Sequence, residues 1–419
     1  MRKTSTIAIA AAGLLLFAGS ASAQTVATGD SRSVSTPSFP SVCETLSAQF
    51  TTSQRSSPPS SDDTSRVQAA LTSCAGTGKS VVLAASGSDN AFYTGKLTVN
   101  GEGLVVNSGV TLEGNTSYSS QSELIYVEGS NSFIGGPGVI DGRGDIISGT
   151  PRLIQTSSAD NLIIYDIQLN QAAHPSIYLQ GGSGATVWKV TLRTPATRAN
   201  ADGIDIDSIA NVTVNDCSVE AGDDGIAVKT NESAASNITV ENSQFYGTHG
   251  MSVGSQTMYG VTNVLFKNNY VYGKDLSGNT SGSNNGARIK SDEDCGGLTK
   301  QVTYLNNCLY NVEHLIIVDA YYGSCSGNSG TPKFQDIIVN GLLSSSSLSG
   351  SSTFYGYNSS NDAQVYLANI DLDSTKQSSD EYATVYLDNS NITPSGTDVT
   401  TSTWSTSGSV PSCSFNSSY

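Results

Sequence analysis

Short runs of alternating β-branched or apolar and polar residues recur along this chain, each followed by a turn rich in Gly, Ser and Asn. Asn161 opens NLIIYDIQL, Gly184 opens GATVWKVTL, Asn211 opens NVTVNDCSV and Asn237 opens NITVENSQF. Asn263, Gln301, Asp336 and Gln364 open four more such runs, and successive starts differ by 23, 27, 26, 26, 38, 35 and 28 residues. A strand of this kind cannot bury its apolar side alone, whereas stacking one unit per coil buries a continuous interior. The pattern therefore predicts an all-β solenoid, a right-handed parallel β-helix. Ile238 and Val240 are two positions expected to point inward. A β-sandwich would need hairpin signals between neighbouring strands, and these are few. The opening Asn residues are expected to form a buried amide ladder. The 38- and 35-residue intervals imply inserted loops, the clearest at 277–286.

The residues before the repeats fall into three parts. Residues 1–23 combine a basic Arg2-Lys3 start, an apolar run from Ile7 to Phe17 and the small-residue site Ala21-Ser22-Ala23, as in a secretory signal peptide. Residues 24–40 are rich in Ser, Thr and Pro and read as a linker, leaving 41–419 as a single β-helix domain. Within it, TSRVQAALTSC at 64–74 predicts a short N-terminal helix that caps the solenoid, with Ser65 and Gln68 at capping-box spacing.

Composition narrows the possible partners. A net charge of −16 argues against nucleic acid, and no later segment is apolar enough to span a membrane. The product is expected to be a secreted, extracellular monomer. Secretion permits disulfides, and the seven Cys leave at least one unpaired within the chain. Cys43–Cys74 is the favoured pair.

Some polar residues are not explained by the repeat. Asp202 lies in Asn200-Ala201-Asp202-Gly203, and Asp223 and Asp224 lie in Gly222-Asp223-Asp224-Gly225, 21 and 22 residues later. His249 follows Asp224 by 25, and Arg288 follows His249 by 39, one coil plus a loop. Arg288 and Lys290, two apart, share a strand face. The period stacks these groups along one side, with rungs about 4.8 Å apart. Clustered carboxylates perturb one another's protonation, which suits inverting glycoside hydrolysis by an acid and a water-activating carboxylate. The adjacent cations suit an anionic sugar. His174 and His314 have no such context and are expected to be structural.

NADGIDIDS, GDDGIAVK, THGMSVGS and NGARIKSD resemble, in order, the four signature motifs of the polygalacturonase family, glycoside hydrolase family 28, in wording most like secreted bacterial endopolygalacturonases. DDTSRVQAALTSC, GVIDGRGD and IIVDAYY extend the resemblance over most of the chain. The resemblance implies endo-acting, inverting hydrolysis of α-1,4-galacturonosyl bonds in pectin or polygalacturonate, with no metal or organic cofactor. It makes Asp223 the general acid and gives Asp202 and Asp224 the water, with His249 orienting the acid or binding the sugar. Asn200 and Gly250 belong to matching motifs around the cleavage point. Arg288 and Lys290 would bind the uronate carboxylate, and Tyr322, or in the alternative register Tyr321, the sugar. Ala201, Thr248 and Gly225 depart from the usual Thr, Gly and Cys, the last leaving Cys217 without that partner. The alternatives are an exo-polygalacturonase or xylogalacturonan hydrolase of the same family, for which loop 277–286 could block the groove, and a non-catalytic polysaccharide-binding β-helix.

Overall fold

In the computed structural model, which describes residues 24–325, 330–378 and 380–415, the alternating runs stack into three parallel columns. One coil comprises the strands Ala210–Asn215, Ser218–Glu220 and Ile226–Lys229. Each pairs in parallel with its counterpart on the next coil, Ala235–Glu241, Gln244–Tyr246 and Met251–Val253. This is a parallel β-helix, and the handedness preference of parallel crossovers makes it right-handed. Register places like on like: Val214, Val240, Phe266 and Tyr304 lie on successive rungs, with the Phe266 and Tyr304 rings stacked at 4.7 Å. Ile238 and Val240 are fully buried, as the alternation required. None of the described helices is long and apolar enough to cross a membrane.

The corners depend on single left-handed residues. Asn211, Asn237 and Asn263 have φ of 58°, 58° and 59°, a region that Asn tolerates because its side chain can bond locally. Their amides form a ladder, Asn237 Nδ2 to Asn211 Oδ1 at 3.2 Å and Asn263 Nδ2 to Asn237 Oδ1 at 2.8 Å. The ladder is half-exposed rather than buried, because the bend carries it to the outer edge of the sheet.

That edge is covered by residues 24–40. Instead of hanging as a free linker, this segment runs lengthwise across the coils. Ala27 N bonds Thr303 Oγ1, Asp30 N bonds Thr239 Oγ1, Ser31 Oγ bonds Asn211 Oδ1, and Phe39 packs on Phe133 and Tyr165. Its Ser and Thr composition is matched by a row of amides and hydroxyls repeating at the rung spacing. Residues 1–23, read as a signal peptide, lie outside the described residues.

The helix Thr64–Cys74 closes the N-terminal end, burying Val67, Ala70, Leu71 and Cys74. Its start differs from the expected capping box. Asp63 occupies the N-cap without a side-chain cap bond, and its carboxylate instead accepts Tyr93 N. Gln68 reaches across to both the amide and the carbonyl of Thr98. Cys43–Cys74 is bonded, Cys295 pairs with Cys325 and Cys308 with Cys413, and Cys217 is a buried free thiol.

Candidate active site

One column carries the site. Its strands Arg152–Thr156, Ile177–Gln180, Ile204–Asp207, Ile226–Lys229, Met251–Val253, Asn285–Asp292 and His314–Gly323 stack in that order. Ile177, Ile204, Ile226, Met251, Ala287 and Ile316 are in register and buried in the core. Alternation then turns Tyr178, Asp205, Ala227, Ser252 and Arg288 outward. Ala227 and Ser252 are small, leaving a hollow between larger neighbours. Asp202, Asp223, Asp224 and His249 sit on the turns that lead into these strands.

Into that hollow Lys290 and Arg288 reach back toward Asp224. Lys290 Nζ lies 2.8 Å from Asp224 Oδ2, Arg288 Nη1 lies 3.3 Å from Oδ1, and Ser252 Oγ donates to Oδ1 at 2.7 Å. Asp223 Oδ1 is 2.8 Å from His249 Nδ1 and also accepts Asp224 N. Burial pushes the Asp223 carboxyl up, but the His249 hydrogen bond and charge, with Lys290 and the Asp224 amide, outweigh it and hold it below the usual aspartate value. Asp223, Asp224 and His249 bring ligand-type atoms within 4.8 Å of one another. The protein's own cations already occupy the Asp224 oxygens, so this cluster is poorly suited to a metal.

A cavity of about 400 Å3 opens over this floor, lined by Asn200, Asp202, Asp223, Asp224, Lys290 and Tyr322 among others. Lys290 Nζ and Arg288 Cζ lie 4.7 and 4.9 Å from the Tyr322 ring centre. Tyr321 turns away, its hydroxyl bonded to Tyr357 O, and of the two tyrosines it is Tyr322 that lines the cavity. Gly250 contributes backbone instead of a lining surface. It is buried with φ +101°, and a Cβ there would lie 2.6 Å from the Asn285 and Gly286 carbonyl oxygens. Thr248 is accommodated, its hydroxyl accepting Gly250 N. None of the cavity's lining residues comes from 277–286.

Among the lining residues not assigned to the site from sequence are four that bear on its charge, Lys229, Asp205, His174 and Arg152. Lys229 Nζ bridges Asp202 Oδ2 at 3.1 Å and Asp205 Oδ2 at 2.9 Å. Burial drives Asp205 well above the ordinary carboxyl range, countered by Lys229 and reinforced by Asp202. Lys229 is itself raised: burial lowers it, but Asp205, Asp202 and Asp224 prevail. Lys229 is thus the cation that faces both Asp202 and Asp205. The signal was present, since GIDID and GIAVK place Asp205 and Lys229 at outward positions. His174, expected to be structural, lines the cavity beside Arg152 and Asp202, while His314 bonds Ser351 O. Arg152 is the fourth.

The model of the family described as glycosyl hydrolases family 28 matches residues 74–391. The chain belongs to that family. An endo-polygalacturonase of Pectobacterium carotovorum subsp. carotovorum is 34% identical over 406 residues, covering 86% of this chain and 94% of that protein. The solved polygalacturonase from Erwinia carotovora ssp. carotovora superposes with a TM-score of 0.72 at 31% identity, over 87% of this chain and all of the other. The endo-xylogalacturonan hydrolase of Aspergillus tubingensis, at 20% identity and a TM-score of 0.64, shares the fold. In this family 28 chain the carboxylates and cations picked out by spacing thus occupy one side of the β-helix, around one cavity.

Proposed function

We propose that this family 28 hydrolase cleaves α-1,4-galacturonosyl bonds inside de-esterified pectin chains, with inversion and outside the cell. The observation that carries it is the meeting of Asp202, Asp223, Asp224 and Lys290 in one open cavity, on a chain 34% identical to an endo-polygalacturonase. Asp223 delivers the proton to the leaving oxygen. Against burial, His249 and Lys290 hold Asp223 below the usual aspartate value. A bound uronate brings a negative charge and displaces water, both of which favour the protonated carboxyl, so binding arms the acid. Asp202 and Asp224 hold the water that attacks the opposite face of the sugar, one steadied by Lys229 and the other by Arg288, Lys290 and Ser252. Three disulfides among the described residues, with the leader-like first 23 residues, fit an oxidising, extracellular setting.

The test is the purified enzyme on polygalacturonate, following viscosity and reducing ends together, with NMR of the first product anomer. Rapid thinning at low bond cleavage and an inverted anomer are expected. Slow thinning despite steady sugar release would overturn endo action, and new ultraviolet-absorbing ends would overturn hydrolysis in favour of elimination.

A further inference from the structure

We propose that Arg152, held over Tyr178, is a second carboxylate anchor for the polyuronate, at the opposite end of the cavity from Lys290 and Tyr322. The inference rests on the hydrolase reading above and adds to it a requirement for a free carboxylate on both sides of the cleaved bond. Position is the first ground. The strand of Arg152 pairs with Ile177–Gln180, which pairs with Ile204–Asp207, so Arg152 stands two rungs, roughly 10 Å, to the N-terminal side of Asp205. Arg288 and Lys290 come from three rungs beyond Asp205 in the other direction. The catalytic carboxylates lie between.

Charge is the second ground. Lys229 is engaged by Asp202 and Asp205, and Arg288 and Lys290 by Asp224. Arg152 lines the same cavity, yet it forms no ion pair among the described residues. Among the described residues its Nη1 donates only to the neutral Gln155 side-chain amide, at 2.8 Å, and its buried Nε has no acceptor. A guanidinium left this way is costly unless a ligand completes it, and a carboxylate is the planar acceptor its geometry fits.

Preorganisation is the third. The Arg152 guanidinium lies 4.1 Å from the Tyr178 ring centre, and Tyr178 is fixed by its hydroxyl donating to Asp207 at 2.5 Å. Lys290 and Arg288 over Tyr322 repeat the device at the far end.

Two measurements test this. Arg152→Gln should lower kcat/KM on de-esterified polygalacturonate roughly 10- to 100-fold, chiefly through KM, with Tm little changed. Arg152→Lys should recover part of the loss, and the penalty should shrink on highly methyl-esterified pectin. Equal penalties on both substrates, or none, would overturn the anchor. Independently of any variant's folding, wild-type enzyme should cut oligogalacturonides about tenfold or more slowly when a single methyl ester lies on either side of the scissile bond. Full tolerance on one side would overturn the proposal. Failure of the wild type to hydrolyse polygalacturonate at all would instead remove the hydrolase reading beneath it.

Discussion

The proton donor proposed above, Asp223, must carry a proton, and its nearest neighbour works against that. His249 contributes the leading opposition to burial, so the free enzyme should hold Asp223 ionised at lower pH than an ordinary aspartate. His249→Ala should move the Asp223 titration upward, read by carboxyl-carbon NMR of the free enzyme. An unchanged titration would mean that Lys290 and the Asp224 amide suffice. Asp223→Asn keeps the size of the side chain but has no acidic proton. It should lower kcat on polygalacturonate by roughly 10²- to 10⁴-fold with Tm preserved. Lys229→Met should be equally informative about Asp202. It strands two buried carboxyls that now share one ammonium, so kcat/KM on polygalacturonate should fall by roughly tenfold or more, and an unchanged value would remove Lys229 from the site's support.

Elements of this protein are held as much at their corners as in their interior. Asn263 combines a left-handed backbone with bonds to Thr28, Gly29 and Asn237. Asn161 has the same backbone sign with a ladder bond to Asn131. Asn263→Ala should therefore cost roughly 1–3 kcal/mol, more than Asn161→Ala, and should open residues 24–40 to protease. Denaturant midpoints and limited proteolysis of the two variants compare them directly. Equal effects would mean that the N-terminal segment adds nothing to the corner it covers.

At the scale of the molecule, stability carries its own pH signature. Glu113 is raised from 4.5 to about 7, first by burial and then by Asp141, against Arg55 and Arg143. The folded state thus keeps a proton that the unfolded chain has already released. Stability from this group is present at acid pH, falls as pH rises from about 4.5 to 7, and levels off above. Glu113→Gln should flatten that portion of the Tm-against-pH curve, measured by calorimetry. A variant curve parallel to wild type would remove Glu113 as its source. The Cys308–Cys413 bond closes 105 residues and ties the C-terminal tail back across the coils, where Phe415 packs on Tyr310 and Tyr270.

Alternation and period, both local properties, were enough to read the parallel β-helix, its inward residues and the side on which Asp202, Asp223, Asp224, His249, Arg288 and Lys290 gather. A repeat of one coil converts distance along the chain into height along one wall, so spacing alone carried that information. Partner choice did not follow from spacing. Lys290 meets Asp224 across 66 residues, and Lys229 chooses Asp202 and Asp205 over other acids, because parallel register, turn shape and two small outward residues decide which long side chains can reach which carboxylates. The same holds for residues 24–40, whose composition is that of a linker until a wall of matching amides stands beside it, and for Arg152, whose unpaired charge becomes visible only once every other cation in the cavity has found its acid.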